Sequence, residues 1–478
     1  MKRDFVFMYI NGNATRVFGA DVFLPLSSYL RYKLYKTGTK VVCAEGDCGA
    51  CSVLVAFPER KIAKGAPEFK VMNSCISPLY ILDGASVVTI EGLKNEGSSS
   101  EVQKKMTECF GSQCGFCTPG FVVAMTAMFE CHKKVDASKV KNFTTGNLCR
   151  CTGYEPIIAA GLAVDATKLR PLSKSYLTPQ IKKELISIGR TEFEIETPEK
   201  QVLGPTTVSQ VSNFLIENKL IRIVSAATDL GVQFNKEKID LEKTITLHHI
   251  PGLFEISKNK GAVSIGAKVT LATIQETLTK ELPTFCRFLN VFASPQIRNV
   301  ATLVGNIVNA SPIGDTLPYL FVSGAIVEIQ GLKSCREVPI INFYKGYKKT
   351  ALLPGEWISR VIVPQQTEHE EIYLYKVSQR RDLDISSVVA AFYIQKGPQK
   401  INDIKIAYGG VGPTVLRLPK TETYLTRQRL SPGTLSAAQK ILQSEITPIS
   451  DLRASEAFRR KVSSNLLEKF YLESGALA

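Results

Sequence analysis

The chain has 478 residues, of which 59 are lysine or arginine and 44 are aspartate or glutamate, for a formal net charge of +15. This length exceeds that of one compact core and predicts three or four domains. The sequence has no run of about 18 uncharged apolar residues, so we expect no membrane span. The basic residues are scattered and are not interleaved with aromatic residues, so we expect no nucleic-acid partner.

The first residues do not have the pattern of a signal peptide, because the apolar stretch in MKRDFVFMYINGN is short and soon becomes polar. They predict a first β-strand followed by an Asn-Gly turn. Ten of the twelve cysteines lie before residue 152, whereas a secreted disulfide protein is usually small and carries a signal peptide. We therefore expect a cytoplasmic protein whose clustered thiols serve metal or redox chemistry.

Residues 1–92 predict a small β-rich domain, with short β-type runs (FVFMYI, CSVLVAF, VVTIEGL) and one helical stretch, SSYLRYKLYKTG. The polar tract NEGSSSE at 95–101 marks a break in the chain. Residues 93–168 predict a helical domain that includes EVQKKMTECF, PGFVVAMTAMFE and PIIAAGLAVDA. Residues 169–199 are charged, contain proline and lack strong periodicity, so we interpret them as a linker.

A second body is predicted over residues 200–366, with the strands IRIVSAA and AVSIGAKV and a helix around TLATIQETLTKEL. Residues 367–478 combine the strands VVAAFYIQ and DIKIAYGG with a helical tail, SEAFRRKVSSNLLEKFYLES. The sequence shows no internal repeat. These elements together predict a multidomain α+β protein.

The first cysteine quartet has the spacing C-x4-C-x2-C followed by a distant fourth thiol, and consists of Cys43, Cys48, Cys51 and Cys75. This spacing is the plant-type pattern for a 2Fe–2S cluster. The glycines of CAEGDCGAC permit the sharp turns by which such a loop wraps a cluster, and its alanines leave room. A structural zinc site would pair thiols as two C-x2–4-C motifs and so fits only half of the set; free thiols are the other alternative.

The second quartet consists of two close pairs, in QCGFCTPG and GNLCRCTGY: Cys114, Cys117, Cys149 and Cys151. Each pair immediately precedes a helical run, so we expect two helix N-termini to face the site and to favour an anionic cluster. The C-x-C pair is unusual for zinc. No βαβ pattern surrounds the C-x-x-C pair, as it would in a thioredoxin-like protein. A second cluster is therefore predicted.

Other catalytic motifs are missing from the sequence: it has no Walker loop, no serine nucleophile elbow and no zincin motif. The four histidines lack metal-ligand spacing. Four cysteines stand apart from both quartets, and we interpret them as small buried hydrophobic residues: Cys109, Cys131, Cys286 and Cys335.

No GxGxxG motif follows a predicted strand, so a Rossmann-type dinucleotide fold is not predicted. Two other loops, VSAATDLG at 224–231 and TLVGNIVNASPIGD at 302–315, contain small residues that let backbone N–H groups approach a phosphate. Side-chain donors are added by Thr228, Thr302, Asn306 and Ser311. Taken alone, such loops are more often simple turns, so both interpretations stay open at this point.

Three motifs in series, CAEGDCGACSVLV, QCGFCTPGFVVAM and GNLCRCTGYEPI, closely resemble the two iron–sulfur domains of the molybdenum hydroxylases. The resemblance implies a β-grasp 2Fe–2S ferredoxin domain followed by a four-helix-bundle 2Fe–2S domain. Residues 200–475 resemble the two-part α+β FAD-binding domain and the C-terminal α/β flavoprotein domain of the xanthine dehydrogenases. The matching segments there are FASPQIRNVATLVGNIVNASPIGDTLP, GYKKT and YKVSQRRDLDISSV.

The resemblance also implies roles for individual residues, among them Phe292 against the isoalloxazine ring and Gln113 against a molybdopterin. The FAD contacts that it implies are Val224, Ser225, Ala226, Ala227, Thr228, Asp229, Leu230, Gly231, Phe292, Thr302, Gly305, Asn306, Asp315, Ile358 and Lys376. The residues that it places on the NAD side of the ring are Tyr347, Arg380, Arg381 and Asp384. The family commonly has glycine at position 226 and often glycine or asparagine at 227, so alanine there is strained by about 1 kcal/mol if φ is positive.

By the same resemblance, we expect electrons to run from molybdopterin on a partner through two 2Fe–2S clusters to FAD and then, as hydride, to NAD. The substrates would be hypoxanthine or xanthine, and this chain would supply no catalytic residue for their hydroxylation. We expect a large molybdopterin-binding subunit and an α2β2 heterotetramer, because the chain stops where the family's one-chain versions continue. The alternatives are the same role in an aldehyde, N-heterocycle or carbon monoxide hydroxylase, and a stand-alone iron–sulfur flavoprotein.

Overall fold

The structure is a computed structural model that describes residues 2–58, 67–94, 97–218, 221–259, 261–397, 400–429 and 431–474. The chain divides into two compact units. Unit 1 comprises Met1–Phe254, Thr270–Glu276 and Ala293–Thr302, and unit 2 comprises Glu255–Val269, Thr277–Phe292 and Leu303–Ala478. Residues 95 and 96 of the predicted polar break, and residues 475–478 of the predicted last domain, lie outside the described residues.

The N-terminal part of unit 1 is a mixed sheet with one helix, the β-grasp arrangement that was predicted. Its strands run in the order β2-β1-β5-β3-β4, and β1 and β5 are parallel. Asn11 and Gly12 join the first two strands with φ of 51° and 81°, as a type I′ hairpin turn requires. The elements are β1 Phe5–Ile10, β2 Asn13–Phe18, α1 Leu26–Tyr32, β3 Ser52–Ala56, β4 Lys70–Asn73 and β5 Ser86–Val88.

Four helices follow in unit 1, as the helical domain predicted. The first begins at a capping box in which Ser100 and Gln103 each satisfy the other's backbone N–H. The second is buried over most of its surface, from Gly120 to Met128, which is typical of the central helix of a bundle. The four helices are α2 Glu101–Glu108, α3 Thr118–Cys131, α4 Ala137–Thr144 and α5 Glu155–Ala163.

Residues 169–199, predicted to be a linker, are instead folded into unit 1. They contain two helices and a strand: α6 Leu172–Tyr176, α7 Pro179–Gly189 and β6 Phe193–Glu196. Ile181 and Leu185 of α7 lie on one face, four residues apart, and are buried in the core that the helical domain shares with the first sheet. The linker prediction was wrong here because only two buried apolar residues, with lysines and a glutamate between them, form the apolar stripe of this helix. So narrow a stripe gives no strong helical periodicity in the sequence.

The rest of unit 1 is a second small sheet with strand order β6-β7-β9-β8, in which β7 and β8 each pair in parallel with β9. Parallel pairing requires crossover connections, and helices α8 and α9 lie in them. The additional elements are β7 Gln201–Gly204, α8 Val208–Glu217, β8 Arg222–Val224, α9 Leu230–Asn235, β9 Lys243–Thr246 and, nearer residue 302, α12 Pro295–Arg298. Helix α10 spans Leu271–Thr277.

Unit 2 begins with a five-stranded antiparallel sheet of order β10-β11-β16-β12-β13 and a small hairpin, β14 with β15. Alternation is clear in β12, where Val327 and Ile329 are buried between partly exposed neighbours. The elements are β10 Ile256–Asn259, β11 Ala262–Gly266, α11 Pro283–Phe288, α13 Leu303–Val308, α14 Leu317–Ser323, β12 Ile326–Gln330, β13 Cys335–Pro339, β14 Tyr344–Gly346, β15 Lys349–Thr350 and β16 Trp357–Pro364.

The C-terminal part of unit 2 is a four-stranded antiparallel sheet covered by helices, in the order β17-β18-β19-β20. The rings of Phe392 and Phe470 stack at a centroid distance of 4.6 Å in its core. The elements are β17 Glu370–Val377, β18 Val388–Lys396, β19 Ile401–Gly409, β20 Leu416–Arg417, α15 Pro419–Leu425, α16 Pro432–Glu445 and α17 Glu456–Glu473. The multidomain α+β class, with two separate sheets in the region predicted to bind FAD, is confirmed.

Candidate iron–sulfur and flavin sites

The first cysteine quartet is brought together by two neighbouring strands and one loop. Cys51 immediately precedes β3, and Cys75 follows β4; these strands pair antiparallel, with Ser52 opposite Asn73. Cys43 and Cys48 lie on the loop between α1 and β3, in which Ala44, Gly46 and Gly49 all have positive φ. The loop therefore curls back over the strand ends, as the small residues in its sequence permit.

Backbone and thiol groups both point at the sulfurs of this quartet. The N–H groups of Glu45 and Cys48 each donate to Sγ of Cys43 at 3.4 Å. Hydrogen bonds from the thiols of Cys48 and Cys75 hold the pKa of Cys43 well below its usual range, and the bond to Cys43 raises the pKa of Cys75. The four sulfurs of the quartet thus lie within hydrogen-bonding reach of one another, and sulfur is the donor that iron–sulfur clusters take.

This donor set fits a 2Fe–2S cluster, whose two irons divide four thiolates between them. Within the described residues, no three or more His, Cys, Asp or Glu side chains are arranged to hold a single metal ion. When bound, a cluster of this kind carries one electron at a time. Hydrogen bonds to its sulfurs and its exposure to solvent set its reduction potential.

Two asparagines hold the first thiol loop in place. The Nδ2 of Asn73 donates to the Gly46 carbonyl at 2.6 Å. The Nδ2 of Asn235, at the end of α9, donates to the carbonyls of both Ala44 and Cys75 at 2.8 Å. A single amide therefore ties the loop to the strand end that carries the fourth cysteine.

The second quartet lies at the starts of two helices of the bundle. Helix α3 begins at the residue after Cys117, and α5 begins shortly after Cys151. The thiol of Cys151 donates to Sγ of Cys114 at 3.6 Å. The hydroxyl of Tyr154 accepts the backbone N–H of Cys149 at 3.0 Å. Because α3 and α5 both begin at these pairs, their N-terminal dipoles favour negative charge there, as was expected.

The second quartet is open to solvent. Cys114 and Cys151 are exposed, whereas burial raises the pKa of Cys117 to about 12. Gln113 is also exposed. The apolar side chain of Phe110 stands 81% exposed on the same segment. The predicted molybdopterin-facing residue thus lies beside an exposed thiol and close in the chain to an exposed aromatic side chain.

Of the residues predicted to hold FAD, the loop 224–231 and Thr302 belong to unit 1. Ala227 has a φ of 58°, so the strain of about 1 kcal/mol considered above applies to this alanine, whereas Ala226 is not in the left-handed region. A Cβ on Gly231 would lie 2.3 Å from the carbonyl oxygen of Ile76, which only glycine avoids. The loop therefore packs directly behind Cys75.

The predicted flavin residues of unit 2 include a buried ion pair. The Nζ of Lys376 donates to Asp315 at 2.9 Å and to the carbonyl of Val291 at 3.1 Å. The hydroxyl of Ser386 donates to the other oxygen of Asp315 at 2.6 Å. Burial raises the pKa of Asp315, and the charge of Lys376 opposes that shift. The carbonyl that accepts from Lys376 belongs to Val291, the residue before Phe292 in the chain.

The other predicted flavin residues of unit 2 are spread over its first sheet and helix α13. Ile358 is buried in β16 and Phe292 is half-buried. Gly305 is exposed on α13, and Oδ1 of Asn306, on the same helix, accepts the Thr316 hydroxyl at 2.6 Å. These placements leave backbone and small side chains of α13 accessible to a phosphate-bearing ligand.

The predicted NAD-side residues lie on exposed segments of unit 2. Tyr347 is 62% exposed, and Asp384 accepts the backbone N–H of Arg380 at 2.9 Å. A depression of about 940 Å³ adjoins this loop. Its basic lining residues are Lys280, Arg287, Lys376, Arg380 and Arg381. The lining also contains glutamates, so the depression as a whole is not basic: Glu281, Glu368, Glu370, Glu371 and Glu473. The adjacent Arg380 and Arg381 are the local positive charge that could attract an anionic ligand such as a pyrophosphate.

Several residues of these sites were not identified from the sequence. Asn147 and Gln296 are buried amides. Asn147 lies two residues before Cys149, which was the available signal, whereas Gln296 has no cysteine beside it in the sequence. Asn235 and Ser386 act through contacts with residues distant in the chain, which no local pattern indicates. Among the four unassigned cysteines, Cys335 is exposed on β13, so the prediction that it is buried was wrong; β13 lies at a sheet edge.

Three protein families match the chain in succession. Residues 89–162 match a [2Fe-2S] binding domain, residues 193–366 the FAD binding domain in molybdopterin dehydrogenase, and residues 373–474 the CO dehydrogenase flavoprotein C-terminal domain. In this order the three domains fit an iron–sulfur/FAD module of a molybdenum hydroxylase. In the described part of this module, none of the helices combines the length and apolar composition needed to cross a bilayer.

The proteins similar to this chain include two kinds of named enzyme. A xanthine dehydrogenase of Oryza sativa subsp. japonica is 29% identical over 540 residues, covering 97% of this chain and 39% of the relative. Aldehyde oxidase 2 of Rattus norvegicus is 28% identical over 520 residues, covering 97% of the chain and 38% of the relative. The chain thus spans about two fifths of the length of the curated relatives that it matches.

Two solved structures share the fold of more than half of this chain. The carbon monoxide dehydrogenase from Hydrogenophaga pseudoflava has a TM-score of 0.55 and 21% identity, covering 57% of this chain and 96% of that chain. Quinoline 2-oxidoreductase from Pseudomonas putida 86 has a TM-score of 0.54 and 23% identity, covering 59% and 100%. At these identities the likeness concerns the fold.

Proposed function

We propose that this chain is the electron-transfer component of a xanthine dehydrogenase-type molybdenum hydroxylase. It holds two 2Fe–2S clusters and one FAD, accepts electrons from molybdopterin on a large partner subunit, and delivers them to NAD. The complex is an α2β2 heterotetramer in the cytoplasm, and its purine substrate, hypoxanthine or xanthine, binds to the partner. The chain itself contributes no catalytic residue to hydroxylation.

The observation that carries this proposal is the presence of two separate four-thiol sets in one compact unit of a chain with an FAD-binding domain. Eight cysteines in two such sets provide the ligands for two clusters. Relatives named xanthine dehydrogenase that match 97% of the chain support the purine substrate. When bound, the clusters and flavin carry the electrons, and the protein sets their distance, potential and access.

The chain's own residues have distinct tasks in this proposal. The exposed thiols Cys114 and Cys151 place the second set where a partner's redox centre can approach, with Gln113 beside them. The ammonium of Lys376, held by buried Asp315, provides a fixed positive charge next to the flavin ring and so raises its tendency to accept electrons. Arg380 and Arg381 attract the pyrophosphate of NAD at the rim of the depression beside their loop.

A second candidate is the same role in an enzyme that oxidises aldehydes, N-heterocycles or carbon monoxide. Its support is the aldehyde oxidase among the relatives. The two candidates differ in the partner's substrate and assign the same task to this chain. A stand-alone iron–sulfur flavoprotein is a third arrangement, which would purify without a molybdenum-containing chain.

The test is metal, flavin and substrate analysis of the complex purified from its native host. We expect about four irons and one FAD per chain and a co-purifying molybdenum protein. NADH should form with hypoxanthine or xanthine, and should not form with aldehydes, N-heterocycles or carbon monoxide. Zinc in place of iron, or about two irons per chain, would contradict the two-cluster proposal.

The role of NAD is tested by reversing the charge of the basic loop. Arg380→Glu with Arg381→Glu should raise the apparent KM for NAD, leave the FAD content unchanged and spare dye-linked substrate oxidation. The matched control makes the same change in net charge at two exposed helix positions, Lys440→Glu with Lys461→Glu. If both double variants have the same KM for NAD, these arginines are ordinary surface charges.

A further inference from the structure

The two thiol sets of unit 1 are joined by a direct backbone hydrogen bond. The N–H of Leu148, the residue before Cys149, donates to the carbonyl oxygen of Cys48 at 2.9 Å. One cysteine of the first set is therefore connected to one cysteine of the second through peptide bonds and a single hydrogen bond. No side chain intervenes along this connection.

Glycines permit the two backbones to approach so closely. A Cβ on Gly49 would lie 2.2 Å from the carbonyl oxygen of Gly146. A Cβ on Gly120, in the first turn of α3, would lie 2.3 Å from the carbonyl oxygen of Gly49. Because real Cβ atoms do not tolerate such distances, any other residue at these positions would push the two loops apart.

Two buried amides fix the register of this contact. The Nδ2 of Asn147 donates to the Gly49 carbonyl at 3.0 Å. The Nε2 of Gln296 donates to Oδ1 of Asn147 at 2.9 Å and to the hydroxyl of Ser52 at 3.3 Å. Asn147 is 2% exposed and Gln296 is fully buried, so both amides are committed to this contact in a site that water does not reach.

We propose that the hydrogen bond from Leu148 to Cys48 is the route by which an electron passes between the two clusters, and that Asn147 and Gln296 are its positioning residues. This inference rests on the proposed function, because it requires a cluster in each thiol set. Covalent and hydrogen-bonded connections couple two redox centres more strongly than a gap of the same length.

The step is a one-electron exchange. The cluster held by Cys149 is oxidised by one electron and the cluster held by Cys48 is reduced by one electron. No covalent bond forms or breaks, and the proton of the Leu148 amide stays on its nitrogen. The chain therefore contributes a fixed connection and no acid or base.

The test compares two substitutions of Leu148 in the full chain with both clusters bound. Leu148→Pro removes the side chain and the N–H donor, whereas Leu148→Ala removes the side chain and keeps the donor. Electrons are introduced by flash photoreduction with 5-deazaflavin, and rapid-freeze EPR follows their redistribution between the clusters. We expect the proline variant to be slower than the alanine variant by about tenfold, which corresponds to about 1.4 kcal/mol in the barrier.

A second readout is independent of turnover. In the fully dithionite-reduced chain, the magnetic exchange interaction between the two clusters should be weaker in Leu148→Pro than in Leu148→Ala, at equal iron content. Equal redistribution rates and equal exchange interactions in the two variants would overturn the proposed route.

A further pair of variants decides the matter if Leu148→Pro does not bind both clusters. Asn147→Ala removes the positioning amide, and Asn142→Ala makes the same change at an exposed position of α4. With both clusters bound, redistribution should be slower in Asn147→Ala than in Asn142→Ala, and equal rates would overturn the proposal. Iron analysis before the experiment tests the proposed function separately. A chain that binds fewer than two clusters contradicts the proposed function, whereas equal rates in a chain with both clusters contradict only the route.

Discussion

The two thiol sets have the same ligands and opposite surroundings. Cys51 and Cys75 of the first set are 1% and 3% exposed, and an asparagine from α9 closes their loop. Cys114 and Cys151 of the second set are exposed at the starts of helices. Burial and solvent exposure are among the main determinants of cluster potential, so clusters bound at the two proposed sites would differ in potential although the residue type is the same.

The difference in exposure also indicates the group with which each site can exchange electrons. An exposed site can exchange electrons with another protein, whereas a buried site exchanges them with groups inside its own chain. Substitutions and reagents that depend on exposure should therefore affect the two sets unequally. Equal effects on both sets would show that they do not differ in exposure.

Replacing one ligand in each set should give the largest difference. Cys75→Ser and Cys151→Ser should each lower the iron content from about four to about two per chain. Cys75→Ser should also lower the free energy of unfolding by about 1–3 kcal/mol. The new hydroxyl would be buried against the apolar side chains of Ile76, Val232 and Ile297, which offer it no hydrogen bond. Cys151→Ser should change the free energy of unfolding by less than about 0.5 kcal/mol, because this position is exposed.

The measurements are iron analysis and denaturant unfolding of each chain after removal of its clusters, so that fold and ligation are separated. Equal losses of unfolding free energy in both variants would show that the first set is no more integrated into the core than the second.

Alkylation of the iron-free chain should follow the same order. At pH 8, iodoacetamide should modify Cys114 and Cys151 first, because their sulfurs are accessible. Cys117, whose pKa burial raises to about 12, has only about one thiolate in ten thousand at that pH and should react more slowly. Its rate should rise steadily as the pH increases toward 12.

Peptide mass spectrometry at timed intervals measures this order, and exposed Cys335 provides an internal standard for an accessible thiol. Modification of Cys51 or Cys75 as fast as that of Cys335 would contradict a closed first site.

Removing one hydrogen-bonding side chain beside each set should have a smaller effect. Asn235→Ala deletes the donor to the carbonyls of Ala44 and Cys75 and should cost about 1–3 kcal/mol of unfolding free energy. Tyr154→Phe deletes the exposed acceptor for the N–H of Cys149 and should cost less than about 1 kcal/mol. Iron release to a chelator should therefore accelerate more in the first variant, and the opposite order would contradict the role given to Asn235.

Gln113→Ala should have the smallest effect on stability, within about 0.5 kcal/mol, because the side chain is exposed. In the complex it should nevertheless slow the entry of electrons from the partner's substrate and leave NADH-to-dye activity of this chain intact. Gln428→Ala, at another exposed position, is the control. If both activities fall together in Gln113→Ala, this residue does not face the molybdopterin.

The parts of the molecule that were predictable depend on local patterns. The Asn11-Gly12 turn follows from two adjacent residues, and the strands β18 and β19 follow from short apolar runs. The structure likewise brings together both quartets whose ligand spacing was recognised. Each of these signals is complete within one segment of the sequence.

The parts that were missed depend on distant partners. The sequence predicts a linker where helix α7 lies, because the apolar stripe of this helix is narrow and becomes a packing surface only beside the first sheet. Gln296 reaches Asn147 across about 150 residues of chain, and Asn235 reaches Ala44 and Cys75 in the same way. A buried amide has no characteristic neighbours in sequence, so only the folded chain identifies it.

The division of the chain between its units has a consequence for biosynthesis. Unit 1 takes its last piece, Ala293–Thr302, from beyond two segments that belong to unit 2. During translation, all eight cysteines of the two quartets leave the ribosome long before Gln296 does. The nascent chain therefore carries its complete set of thiols while the contact between the two loops still lacks one of its two amides, and unit 1 is finished only after residue 302 has emerged.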